Sequence, residues 1–125
     1  MKKLILFYCL ILLSCNNSNI DNKIVKTGII RNIESLKTIS LGQSDTITIT
    51  FGGGTNGCAK PDHLGVSING KTISFIAFYN IPSNSTICPD NIPIHTLKYV
   101  FKPNVKGTFS YISTDINTST TTIVE

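Results

Sequence analysis

Apolar and polar residues alternate with a period of two along most of this chain. In Asp45-Thr46-Ile47-Thr48-Ile49-Thr50-Phe51, Ile47, Ile49 and Phe51 alternate with threonines. Successive side chains of a strand point to opposite faces, so this spacing predicts a half-buried β-strand. Leu64, Val66 and Ile68 alternate in the same way, and Asn69-Gly70 follows. That pair suits the positive φ angles of a tight hairpin turn. Lys71 to Tyr79 then reads as the return strand, with Ile73, Phe75, Ala77 and Tyr79 on one face. Ile94 to Lys102 is expected to form another strand, with Leu97, Tyr99 and Phe101 on a common face, ended by Pro103-Asn104. Thr108 to Ser113, carrying Phe109 and Tyr111, and Ser119 to Val124 complete the series. Lys26 to Arg31 and Ser35 to Leu41 are fainter strand candidates. No segment sustains a helical period, and the outward positions are rich in Thr, Ser and Asn, of which threonine favours strands.

About seven short strands with frequent turns predict an all-β domain, an antiparallel β-sandwich over residues 24–125. A small β-barrel is the competing architecture. The stretch Phe101-Lys102-Pro103-Asn104-Val105-Lys106-Gly107-Thr108-Phe109-Ser110-Tyr111 resembles the late-strand region of bacterial immunoglobulin-like domains. There a Pro-containing turn and a Gly-Thr-aromatic step lead into a strand. The resemblance implies an immunoglobulin-like sandwich in architecture only. The antibody pattern is missing, since the chain has no Trp and Cys58 and Cys88 fall between the expected strands.

The front of the chain breaks the two-residue pattern. Met1-Lys2-Lys3 is followed by ten apolar residues, Leu4 to Leu13. Ten helical residues rise about 15 Å, whereas a bilayer core of about 30 Å needs roughly 20. The run is too short to span a membrane and has the length and flanks of a signal-peptide core. It ends in Leu12-Leu13-Ser14-Cys15, which resembles a bacterial lipobox. That resemblance implies cleavage after Ser14, diacylglycerol on the Cys15 thiol and acylation of the new amine. Two or three acyl chains anchor a protein nearly permanently, while one holds weakly. Asn16 stands where Asp favours inner-membrane retention in the sorting rule of enteric bacteria, so placement at the outer membrane of the cell envelope is expected. Residues 15–23 then form a lipidated, flexible tether.

Removing residues 1–14 changes the reading of charge and cysteines. Lys2 and Lys3 leave with the leader, and the formal net charge falls from +4 to +2. Such a surface gives no reason to expect nucleic acid as a partner. Cys9 is discarded and Cys15 carries lipid, leaving Cys58 and Cys88 as a pair in an oxidising compartment. A disulfide is the expected outcome. Together with His63 and His95 the same cysteines could instead make a Cys2His2 metal site. Structural zinc sites usually show tighter spacing, such as Cys-x2-Cys, so neither a metal nor a cofactor is expected, and His63 and His95 read most simply as surface histidines.

Other chemistry is sparse. Gly52-Gly53-Gly54-Thr55-Asn56-Gly57 fits the spacing of a dinucleotide-binding loop, but no amphipathic helix follows to present its amides to a pyrophosphate. The loop reads instead as glycine-rich backbone beside the disulfide. No Gly-x-Ser-x-Gly or His-Glu-x-x-His motif is present. Asp62 beside His63 could orient an imidazole, and Asp62 and Asp90 could pair as carboxylates if a disulfide joined their loops. Asn84-Ser85-Thr86 and Asn117-Thr118-Ser119 fit glycosylation acceptors and read as polar turns.

The leading expectation is a lipid-anchored envelope protein, not an enzyme, that binds or supports a protein or glycan through its cross-linked loops. The loops 52–63 and 81–93 would be tied at one end of the sandwich, and His63, Tyr79, Asn80 and Asn84, in or beside them, are the candidate binding residues. The runner-up is a secreted hydrolase-like or metal-binding domain using Asp62, His63 and Asp90, or the Cys58, Cys88, His63 and His95 set.

Overall fold

The computed structural model describes residues 23–83, 87–115 and 117–125. The leader, Cys15 and Asn84 lie outside them. Among the described residues there are nine strands: β1 (Lys23–Thr27), β2 (Ile29–Glu34), β3 (Thr38–Ile39), β4 (Asp45–Gly52), β5 (Lys60–Asn69), β6 (Thr72–Pro82), β7 (Ile94–Phe101), β8 (Gly107–Ser113) and β9 (Ser119–Val124). They form two packed sheets, as expected for a β-sandwich, and the larger sheet curls like half a barrel. The small sheet has the order β2-β4-β7. In the large one, β5 lies along one edge of β6, while β1 and β8 share its other edge; β9 and β3 follow β8. Most pairings are antiparallel, but β6 with β8 and β3 with β9 are parallel.

The alternating residues point where the pattern put them. Ile47, Ile49 and Phe51 of β4 meet Ile73, Phe75, Ala77 and Tyr79 of β6, with Phe101, Phe109 and Tyr111, in one buried core. Fully burying a side chain of this size contributes about 1.5–3 kcal/mol. Phe75 is wholly buried, its ring edge-on to Tyr99 with centroids 5.5 Å apart.

Four differences from the expectation have local causes. The strand expected over Lys26 to Arg31 is split at Gly28 into β1 and β2, which belong to different sheets. A Cβ at Gly28 would sit 2.5 Å from Phe51 Cδ2, so the missing side chain lets the chain cross over that ring. Ser35 to Leu41 yields only the two residues of β3. The hairpin turn is present, but Asn69 pairs with Thr72, and Gly70 alone takes a positive φ of 60°. Glycine in that first central position is the usual solution for one class of two-residue hairpin. Finally, β5 begins at Lys60 and β6 continues to Pro82, so both outrun the regular alternation.

The two ends of the sandwich differ. Lys23 pairs with Pro82, next to the loops 53–59 and 83–93. Glu125 lies at the other end, hydrogen-bonded to Ile39 and Leu41, close to the Gly107 end of β8.

Candidate functional site

The loops that follow β4 and β6 are covalently joined. Cys58 and Cys88 form a disulfide with their Cα atoms 5.2 Å apart. The Gly57 amide donates to the Pro89 carbonyl at 2.8 Å, and the Cys58 amide to Asn56 Oδ1 at 3.1 Å. The pair thus adopts the first of the two states open to it, and its sulfurs are not available to a metal. Among the described residues, no three His, Cys, Asp or Glu side chains gather where they could hold an ion.

The glycine-rich loop has a packing role. A Cβ at Gly53 would lie 2.3 Å from Tyr79 Cδ1, so Gly53 lets the backbone rest on the Tyr79 ring. The expectation that Tyr79 belongs to a binding loop therefore needs correction: it sits within β6, 8 % exposed, as part of the core. Gly53→Ala is expected to force ring or loop to move and to cost about 1–3 kcal/mol, measurable as a lowered urea midpoint.

His63 and Asn80 are also strand residues, and they converge on Asp62. The β5–β6 register shifts between Pro61 and His63, which makes Asp62 the extra residue of a β-bulge. Bulges re-aim side chains and bend their strand. Here Asp62 Oδ1 accepts from Lys23 Nζ and from Asn80 Nδ2, each at 2.8 Å. Its Oδ2 meets His63 Nδ1 at 2.5 Å, so Nδ1 holds the hydrogen in this pairing. The His63 ring stacks on Phe78 with centroids 4.4 Å apart and planes 11° from parallel. Three strands thereby meet on the outer face of the large sheet: Lys23 from β1, Asp62 and His63 from β5, Phe78 and Asn80 from β6.

The electrostatics of this cluster follow from its donors. The Lys23 ammonium, then His63 and Asn80, hold the Asp62 carboxyl well below the usual carboxylate range. All three favour the charged form. A carboxylate already accepting three hydrogen bonds has little capacity left to take a proton from a substrate. Because its folded pKa is depressed, the contribution of Asp62 to stability is present above the ordinary carboxylate pKa of about 4 and fades as pH falls below it. In a carbon-detected NMR titration, the Asp62 carboxyl is expected to stay ionised through that region. In Lys23→Met its midpoint moves up towards the ordinary value; an unchanged midpoint would show that Lys23 does not hold the charge.

The remaining candidates scatter. Asp90 is exposed in the loop after Cys88, while the hydrogen bonds of Asp62 go to Lys23, His63 and Asn80. His95 is buried on the inner face of β7, opposite Phe51, with its ring 5.3 Å from that of Phe51. The surface position expected of His95 is therefore corrected: its phase on β7 turns it into the core, and among the described residues its Nε2 has no hydrogen-bond partner. Lys23 and Phe78 were not singled out by the sequence pattern. Phe78 was detectable in principle, since β6 carries apolar residues in both phases, with Ile76 and Phe78 out of step with the core positions.

No known family matches this chain. Neither characterised proteins nor solved structures provide a significant match.

Proposed function

We propose that the chain is a lipid-anchored protein of the bacterial cell envelope whose β-sandwich is a non-enzymatic binding or structural module. The observation that carries this reading is the Cys58–Cys88 cross-link. Disulfides of small domains persist in oxidising compartments, and the leader ending in Leu12-Leu13-Ser14-Cys15 supplies a route to one. Asn16 favours the outer membrane over the inner. The non-enzymatic reading draws on Asp62: the acid best placed for proton transfer already accepts hydrogen bonds from Lys23, His63 and Asn80. A partner protein or glycan, if bound, would meet the outer face around His63, Phe78 and Asn80.

Metabolic labelling with an alkyne fatty acid tests the anchor. The native host is expected to label the wild-type chain and to fractionate it with membranes. Cys15→Ala is expected to lose the label and the membrane fraction together. A wild-type chain that takes up no label and remains in the soluble fraction would overturn the proposal.

A further inference from the structure

We infer that the cross-linked end of the sandwich faces the bilayer and that the Ile87 side chain inserts into its interfacial region. This rests on the lipid anchor proposed above and adds the orientation of the domain. The first strand begins at Lys23, opposite Pro82, at the same end as the cross-linked loops. Eight residue steps separate Cys15 from Lys23, and eight steps reach at most about 30 Å whatever their conformation. β6 alone, with 11 residues, is roughly 35 Å long. The tether therefore cannot wrap around the domain to bring its far end to the membrane, whereas the Lys23 end is always within reach.

That end also has the chemistry of a membrane-contacting surface. Ile87 is 91 % exposed and stands next to Cys88, so the cross-link holds a bare apolar side chain at this end of the sandwich. Ile24, at the start of β1, and Ile92, in the same loop as Ile87, are 54 % and 63 % exposed. Lys26 and Lys60 lie exposed on strands flanking the end of β6, opposite Tyr79 and Asn80. Exposed Asp90 lies between Ile87 and Ile92 in sequence and sets the limit on how deeply this segment can enter. Exposed isoleucines and lysines at one end suit the boundary between acyl chains and anionic headgroups, where a shallow contact reaches about 5–10 Å.

The chain contains no Trp, so single tryptophans are clean probes. The lipidated protein, beginning at Cys15, would be prepared as Ile87→Trp and, at the opposite end, as Val105→Trp. Each would be reconstituted into phosphatidylethanolamine and phosphatidylglycerol vesicles carrying brominated acyl chains. Flotation with the vesicles is read first. The expected result is co-flotation of both variants, blue-shifted emission from position 87 quenched by roughly half, and unquenched emission from position 105. Flotation with neither position quenched would overturn the orientation while leaving the anchor standing. A blue shift at position 87 without quenching would overturn it too, since the side chain would then be covered by protein. Failure to float would remove the anchor and this inference with it.

Discussion

Removing the cross-link is expected to lower the thermal midpoint by about 15–25 °C. The link joins residues 30 apart in sequence. In the chain-entropy model, closing a loop of that length restricts the unfolded state by about 3.5 kcal/mol. A domain of this size has only about 5–15 kcal/mol of net stability, so the double substitution Cys58→Ala, Cys88→Ala leaves a much weaker fold. The effect is on both states. In the folded one, the Gly57 to Pro89 hydrogen bond depends on the loops staying together. Thermal denaturation followed by circular dichroism, on the full chain without reductant, is the check. A midpoint within about 3 °C of wild type would mean that the loops are not covalently closed.

Phe75→Ala is the second large effect, at about 3–5 kcal/mol. Phe75 is wholly buried, and its ring lies 5.5 Å from Tyr99 and 6.4 Å from Tyr111. It faces into the layer between the sheets from a strand that pairs along both edges, with β5 on one side and β8 on the other. Neighbouring strands cannot close the space without breaking register, so most of the cavity persists. Ile76→Ala, one residue along and on the outer face, is expected to cost below about 1 kcal/mol. Urea denaturation of the pair at an unchanged slope separates the two. Equal losses would contradict the assignment of inner and outer faces on β6.

The alternation of β4, β6, β8 and β9 was readable because burial on one face imposes a period of two and little else competes with it. Two kinds of feature escaped that logic. A bulge shifts phase, so Lys60-Pro61-Asp62-His63 looks like a loop although it is paired strand; the Asp62–His63 contact was readable from adjacency, but the convergence of Lys23 and Asn80 on Asp62 was hidden by the device that builds it. Close backbone approach leaves only a glycine, and Gly28 does not announce that the chain changes sheets there. Tyr79 was legible as a core-facing residue from its phase, which competes with its polar hydroxyl and its place beside Asn80. The disulfide came from counting cysteines against a compartment. His95 could not be placed by residue type, because only its phase with Leu97, Tyr99 and Phe101 marks it as inward-facing.

In the proposed exported chain the four thiols have three fates: one is lost with the leader, one is lipidated, and two are joined to each other. Mass spectrometry of the protein purified from its native host without reductant tests this in a single measurement. The expected spectrum has an amino-terminal peptide that starts at Cys15 and carries diacylglyceryl and fatty-acyl groups, together with a peptide pair linked through Cys58 and Cys88. An intact Met1 terminus with both of those thiols reduced would contradict it.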